Sequence, residues 1–533
     1  MSIRFILAPA GGGKTWHCLQ EIAALEKADP LGTPVYFILP EQATFIHERL
    51  LCQTCAGGGF CRTRVLSFNR LVYHAYKYRH QQPMPQLSEA GKLLLAGRVI
   101  NETRSQLQVY AAASSGAGFA SYLVKAAEEL ATYGISPEQL EQAVLRLAER
   151  EGETRQVERL RETALLYRCY QQTQSHDYAS YASNMDYLAE SIRLGMISNA
   201  DIYIDGYLEF TPAELVVLAA LLSDDSNRIN ITLPIDPALL EKNLLAEHVF
   251  AAPLATWQRL TTLAESQHAT IMPPLLLSGE KGRFAANQEL AALEAALAGR
   301  KTQQLTHQPQ TIRLCQALDR RAELESIGRE MIRLVREEGL RFRDISLITR
   351  DTAPYEELLA EVFGAMDIPY FIDAKKPLLF HPLFELVRAA LECWAYHPKY
   401  EHILRFVKNP LLPISRKQAD LLDNYALAHG LRFWHFQSEA AWDFSPLPDE
   451  SEDAAAAADA VRQQACGPLL QLIRDLPLQT SARELNEHLL TMLKALDIEA
   501  AVSRLAEQAR LAGDGEEALF HEQAWDKLNE FLT

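Results

Sequence analysis

The 533-residue sequence predicts an α/β protein in which parallel-sheet domains are interrupted by large helical insertions. Three observations lead there. Short apolar, β-prone runs alternate with segments of helical period, both at the start of the chain and again in its middle. A glycine-rich turn, Ala8-Pro9-Ala10-Gly11-Gly12-Gly13-Lys14-Thr15, joins the first of these runs to the first helix. Between the α/β segments lie long stretches of helical periodicity with few strand-like runs.

The first α/β segment opens with a strand over 3–7, then the glycine turn, then a helix over 15–28. Val35-Tyr36-Phe37-Ile38-Leu39 ends at Pro40 and predicts a second buried parallel strand, with a helix following from Glu41. Val65-Leu66-Ser67 marks a third strand. From 87 to 194 the period is helical, with starts signalled by Ser88, Ser136-Pro137-Glu138-Gln139 and Thr154. Strand character returns at 202–204 and 229–233, on either side of a helix running from Thr211-Pro212 to Leu222. Residues 238–300 are mostly helical in pattern, and the Gln/Thr-rich stretch 301–311 is a linker. A second α/β segment follows: strand 312–317, helix 320–338, strand 345–348, helix 355–363 and strand 370–372. Beyond Pro382 the pattern is helical, with an Ala-rich acidic segment at 449–460 that fits an exposed loop or a helix start. In domain terms, 1–86 with 185–300 form a first sheet domain, 87–184 a helical insertion, 301–384 the start of a second sheet domain, and 385–533 a second helical insertion.

Hydrophobic content of 48% and charged content of 23% are those of a globular protein. No apolar run approaches the roughly eighteen residues of a membrane span, and the first apolar stretch is too short for a signal peptide. A cytoplasmic protein with no membrane partner is expected. The net charge of −17 excludes a uniformly polyanion-binding surface, so any nucleic acid needs a local channel. Arg62, Arg64, Arg70, Lys77 and Arg79, with Tyr73, Tyr76 and Tyr78 for base stacking, are candidates for its lining, and a solvated amphipathic helix fits the same residues. The eight cysteines are scattered, as suits reduced thiols. Only Cys52, Cys55 and Cys61 cluster. They lack a fourth ligand nearby and are expected to hold no metal.

The glycine turn carries the clearest chemistry. Glycines let backbone N–H groups point at a phosphate, and the following helix offers its positive end. Lys14 is placed to reach the β- and γ-phosphates of a nucleotide such as ATP, and the Thr15 hydroxyl to ligate Mg²⁺. Ala8 stands where the pattern has its first glycine, a position that asks mainly for a small residue. Hydrolysis also needs a carboxylate at the end of a neighbouring strand, usually followed by a Glu that polarises water. Asp205 fits the first role, with a strand-ending turn residue as the lesser alternative, but Gly206 stands where the Glu belongs. Glu209 is a weak catalytic candidate, with a surface carboxylate as the plainer reading.

The segments Ala8 to Thr15, Leu39-Pro40-Glu41-Gln42-Ala43-Thr44-Phe45, Leu66-Ser67-Phe68-Asn69-Arg70-Leu71, Ile204-Asp205-Gly206-Tyr207 and Phe210-Thr211-Pro212-Ala213-Glu214 together resemble AddB (RexB-like), the B subunits of bacterial AddAB helicase–nucleases. Asp344-Ile345-Ser346-Leu347-Ile348-Thr349-Arg350 is similar to the start of the second motor domain in superfamily 1 helicases, and Asp373 with His381-Pro382-Leu383 also fits the family. The resemblance implies P-loop NTPase domains of the RecA-like, superfamily 1 helicase-like kind. It implies ATP and Mg²⁺ as cofactors, with Ala8, Pro9, Ala10, Gly11, Gly12, Gly13, Lys14 and Thr15 on the nucleotide and Asp205 near the metal. Ser67, Phe68 and Arg70 are the implied DNA contacts. The implied partners are an AddA-like helicase–nuclease subunit and double- and single-stranded DNA, in double-strand break resection and recombinational repair. In that scheme AddB is a degenerate motor that binds the passing strand and watches for the Chi signal while its partner translocates. Family members are about twice as long and carry a C-terminal nuclease domain with a cysteine-bound iron–sulfur cluster. Neither is expected in this chain, which resembles an N-terminal portion. The competing expectation is a non-enzymatic docking and DNA-binding module with a vestigial nucleotide site.

Overall fold

The computed structural model describes residues 2–55, 57–240, 244–277, 282–284, 286–300, 308–372, 376–396, 400–438, 440–447 and 451–532. The linker residues 301–307 and Asp373 lie outside them. The chain divides into two compact units, Met1–Gln316 and Ala317–Thr533.

The first unit is built on a parallel seven-stranded sheet. Its strands are β1 (Ser2–Leu7), β2 (Val35–Ile38), β3 (Thr63–Leu66), β4 (Asp201–Ile204), β5 (Arg228–Leu233), β6 (Thr270–Ile271) and β7 (Leu275–Leu276). The spatial order is β3-β2-β4-β5-β1-β6, with β7 pairing β1 beyond β6. Strands buried on both faces are largely apolar, and alternate residues divide between two cores. Ile3, Phe5 and Leu7 join Tyr36, Ile38, Ile202 and Ile204 on one face, whereas Ile6, Val35, Phe37 and Tyr203 face the other. The helices α1 (Lys14–Ala28) and α2 (Thr44–Thr54) cover the second face, burying Cys18, Leu19, Ile22 and Leu51 there. The strands β6 and β7 fall in a stretch expected to be helical. Two residues each are too few to set a period, and only pairing with β1 defines them.

The chain between β3 and β4 is helical: α3 (Phe68–Tyr78), α4 (Glu89–Thr103), α5 (Ala117–Thr132), α6 (Pro137–Glu151), α7 (Arg155–Asp177) and α8 (Tyr181–Arg193). The expected starts are realised as caps. The hydroxyls of Ser88, Ser136 and Thr154 accept the N–H groups of Gly91, Gln139 and Val157 at 3.1, 3.3 and 3.3 Å. While α3 and α8 pack on the sheet, α4, α5 and α7 enclose their own core around Val99, Leu123, Leu166 and Tyr167. Inside it the buried Glu162 carboxylate accepts N–H groups from Gln108, Val109 and Tyr110 at 2.6, 2.8 and 2.9 Å. This helical body leaves and rejoins the unit at one point, where Ala179 N–H donates to Pro85 O at 2.9 Å. The unit continues with α9 (Pro212–Leu221), α10 (Ala251–Ser266) and α11 (Gln288–Leu297).

The second unit contains α12 (Arg320–Glu337), α13 (Glu356–Ala365), α14 (Pro382–Ala395), α15 (Tyr400–Val407), α16 (Arg416–Ala428), α17 (Phe433–Gln437), α18 (Ala454–Asp475), α19 (Ala482–Ala495), α20 (Ile498–Leu511) and α21 (Gly515–Leu532). The helices expected at 320–338 and 355–363 form, around Leu324, Met331, Leu359, Val362 and Phe363. The strands expected at 312–317, 345–348 and 370–372 do not: among the described residues beyond 276 there is no strand. Leu314, Ile348 and Phe371 are 99%, 90% and 86% exposed. A strand exists only through its neighbours' hydrogen bonds, and β-prone composition supplies the residues without the neighbours. From α14 onward the helices share one large core containing Leu386, Phe406, Leu422, Leu469 and Leu493. The acidic Ala-rich stretch becomes the start of α18 from Ala454 on. His381 caps α14, its Nδ1 accepting Leu383 N–H at 3.1 Å and its Nε2 lying 2.8 Å from Nδ1 of His521.

Candidate nucleotide-binding site

Parallel strands present ligands at their carboxyl ends, and the glycine turn leaves the carboxyl end of β1. Glycine is required here by geometry. Gly11 and Gly13 have φ of 73° and 92°, and a Cβ on Gly12 would stand 2.7 Å from Ala8 Cβ and 3.0 Å from Pro9 O. Ala8 itself is fully buried, which accounts for a small side chain at that position. Gly13 begins α1 without a side-chain cap, and no acidic residue occupies the first turn, so the positive end of the helix is left for an anion.

Two functional side chains follow at once. Lys14 Nζ donates to the carbonyls of Ala8 and Pro9 at 2.9 and 3.0 Å. Burial pushes its pKa below the ordinary lysine value, partly offset by the charge of Asp205. Thr15 Oγ1 donates to Asp205 Oδ2 at 2.6 Å across 190 residues of sequence. Asp205, 3% exposed, follows β4, and its other carboxylate oxygen accepts from Thr232 of β5. Strand order explains the meeting, since β5 lies between β1 and β4 and Ile6 is in register with Thr232. A carboxylate and a hydroxyl side by side are hard oxygen donors of the kind Mg²⁺ takes, so the residues fit that ion. Sequence reasoning missed Thr232, which shares with Asn230 the distinction of a buried polar residue in β5 and carries no signal of its own.

Gly206 has φ 86°, and a Cβ there would lie 3.1 Å from Pro40 Cδ. The missing carboxylate therefore has a local cause, because the turn after Asp205 is left-handed and closed over by Pro40. Glu209 is exposed, and no described hydrogen bond or ion pair joins it to Lys14, Thr15 or Asp205.

The expected DNA contacts divide. Ser67 caps α3 by accepting Arg70 N–H at 3.2 Å, and Phe68 is a core residue set edge-on to Tyr207 at 5.6 Å. Arg70 is exposed. The basic channel does not assemble as expected. The Arg62 guanidinium donates to Thr33 O and Leu25 O at 3.1 and 2.7 Å, and Arg79 pairs with Glu190 at 2.8 Å. Tyr76 is buried and stacked on Tyr187 at 4.2 Å, and Tyr78 donates to Leu194 O at 3.0 Å. Aromatic and cationic residues on a helix serve packing as readily as binding, and here packing takes these four. Arg64, Lys77 and Tyr73 remain exposed. Tyr73 and Asn69 line a cleft of about 1050 Å³ whose charged residues are Glu41, Glu128, Asp186 and an ion-paired Lys92. Its charge is not that of a phosphate channel.

Cys55 is buried and Cys61 exposed, and Cys61 N–H donates at 3.1 Å to Glu26, which also accepts from Arg62 and Thr63. Among the described residues no three His, Cys, Asp or Glu are grouped to hold a metal ion. No described helix is long and apolar enough to cross a membrane.

A parallel sheet with a glycine turn after its first strand, and helices inserted between its strands, defines the class: a P-loop NTPase fold with RecA-like topology and large helical insertions. Residues 5–294 match the family model described as "ADDB, N-terminal". The chain belongs to the AddB family. It is 35% identical over its whole length to the B subunit of the ATP-dependent helicase/deoxyribonuclease of Desulforudis audaxviator, covering 47% of that protein. The B subunits of the same description from Pelotomaculum thermopropionicum and Geobacillus kaustophilus are 33% and 32% identical, each again over 100% of this chain and 47% of the relative. The chain thus spans about half the length of the curated relatives it matches.

Proposed function

We propose that this chain binds ATP with Mg²⁺ at the glycine turn, as the helicase-like, nucleotide-binding part of the AddB component in an AddAB-type helicase–nuclease. The hydrogen bond between Thr15 and Asp205 carries this reading, since it sets together two protein oxygens of the kind that, with phosphates and water, hold a nucleotide-bound Mg²⁺. Lys14 then turns from the carbonyls of Ala8 and Pro9 to the phosphates. With Gly206 after Asp205, the site lacks the carboxylate that activates water, which favours a nucleotide-holding, degenerate motor over a fast ATPase. The relatives are described as components of an ATP-dependent helicase/deoxyribonuclease, which supports work in the cytoplasm with an AddA-like partner on double- and single-stranded DNA, in end resection and recombinational repair. A fluorescent ATP analogue binds the wild type and fails to bind Lys14→Ala. Equal binding by both overturns the proposal.

One observation favours the alternative of a docking and DNA-binding module: the Lys14 ammonium is already satisfied by the loop's own carbonyls. Salt-dependent binding of single-stranded DNA without any ATP affinity is its signature.

A further inference from the structure

The glycine turn has a neighbour from far along the chain. Arg283 N–H donates to Gly11 O at 2.8 Å. A Cβ on Gly11 would meet Phe284 Cε2 at 2.9 Å, Phe284 Cζ at 3.2 Å and Arg283 Cβ at 3.3 Å. Gly11, at φ 73°, therefore serves the turn and also admits this close approach. The approach follows from topology. β7 runs parallel to the end of β1, pairing Leu275 and Leu276 with Ile6 and Leu7, and Leu277 N–H donates to Leu7 O at 3.0 Å. The two chain segments leave the sheet side by side at the edge where parallel sheets bind ligands. Phe284 is held in turn, because its carbonyl accepts Asn287 N–H at 3.0 Å and Asn287 caps α11 by accepting Leu290 N–H at 3.1 Å.

The side chains are of the right kind for a polyphosphate. Lys14 and Asp205 cancel in charge, and the Mg²⁺ of the proposed site offsets only part of the negative charge of a nucleoside triphosphate. Arg283 is exposed, and no described ion pair takes up its guanidinium. Its fork of N–H donors matches phosphate oxygens, and its backbone is hydrogen-bonded to the loop that holds them.

We propose that Arg283 and Phe284 complete the nucleotide site: the Arg283 guanidinium binds the phosphate chain of the nucleoside triphosphate, and the Phe284 ring holds the Gly11 turn in its phosphate-accepting shape. Arg283 is thus a binding residue and Phe284 a positioning residue. The inference rests on the nucleotide-binding reading above.

The test titrates a fluorescent ATP analogue with Mg²⁺ into the full chain as wild type, Lys14→Ala, Arg283→Ala, Arg283→Lys, Phe284→Leu and Phe284→Ala, and repeats each titration with inorganic tripolyphosphate as competitor. A charge-assisted contact predicts binding about tenfold weaker or more in Arg283→Ala, partial recovery in Arg283→Lys, and the same loss for tripolyphosphate. Phe284→Leu, which keeps an apolar group on Gly11, stays within about threefold of wild type, and Phe284→Ala weakens both ligands alike. Arg283 is exposed, so its variants fold, and far-ultraviolet circular dichroism confirms this for each protein. If Arg283→Ala binds as wild type does while Lys14→Ala binds nothing, the inference falls and the nucleotide reading stands. If Arg283→Ala loses the ATP analogue but not tripolyphosphate, the phosphate contact is refuted. Absence of binding by the wild type overturns the nucleotide reading itself, and this inference with it.

Discussion

Replacing Gly206 by alanine isolates the feature that separates this site from a hydrolytic one. At φ 86° an alanine enters the left-handed region at a cost of about 1–2 kcal/mol. Its Cβ would also lie 3.1 Å from Cδ and 3.4 Å from Cγ of Pro40, a ring that cannot rotate away. Relieving that contact costs about 1–2 kcal/mol more, in the range for overpacked sites. The sum is about 2–4 kcal/mol. It falls on β4, whose amides pair with β2 in the middle of the sheet. Hydrogen exchange followed by mass spectrometry on peptides spanning 201–210 reads it directly, because protection there reports opening of the sheet. The exchange rate rises roughly 30- to 700-fold, at about a factor of ten per 1.4 kcal/mol. Gly206→Glu, which installs the absent carboxylate, suffers the same loss without gaining DNA-stimulated ATPase. Exchange within about threefold of wild type in Gly206→Ala would refute the claim that turn geometry keeps an acidic residue out.

Further outcomes follow from individual groups. Lys14 titrates below the ordinary lysine value in the free protein and faces phosphate when nucleotide is bound, which raises its pKa; binding therefore takes up a proton once the pH passes the free value. Nucleotide affinity falls as pH rises through that range, and a pH-independent affinity up to the ordinary lysine value contradicts the assignment. Glu162→Gln leaves at least one of the N–H groups of Gln108, Val109 and Tyr110 facing an amide NH2 and the others on a neutral acceptor, and destabilises the helical body by about 1–3 kcal/mol, read as faster exchange in α4 and α7 with the β-sheet unchanged. His381, held neutral by burial and by His521 with a pKa of about 4, is protonated first in the unfolded chain. Its contribution to stability is intact above pH 6.5 and is lost as pH falls toward 4, worth about 2 kcal/mol between about pH 7 and pH 5. His381→Asn keeps a capping acceptor and flattens that dependence in thermal melts; an unchanged slope disproves it.

The parts of the first unit that are legible in the sequence are those with local causes. The glycine turn and the caps at Ser88, Ser136 and Thr154 each depend on residues close in sequence, and the runs at 35–38 and 228–233 show their strand composition, though not their partners, in the same way. Asp205 stands out because it follows an apolar run, but its two hydrogen-bond partners come from the helix after β1 and from β5, and only strand order selects them. The basic cluster misleads for a related reason. Sequence shows that Arg62 and Arg79 are cationic, not that Thr33 O and Glu190 already engage them. The absent strands at 345–348 and 370–372 have the same origin, since pairing is a property of neighbours and not of the segment itself.

The hydrogen bond between Ala179 and Pro85 bears on how this sheet is assembled. β2 and β4 are neighbours, yet every residue from α3 to α8 must be accommodated before they pair. Closing so long a loop is entropically unfavourable, though the cost grows only with the logarithm of its length. A helical body with its own core, whose two ends meet at one hydrogen bond, contributes almost nothing to the distance the rest of the chain must span. Once it has collapsed, the search for β4 is that of a much shorter chain running through α3 and α8. The same junction lets the body grow or shrink without a change in the spacing of β1 and β4, whose carboxyl ends lead into Thr15 and Asp205.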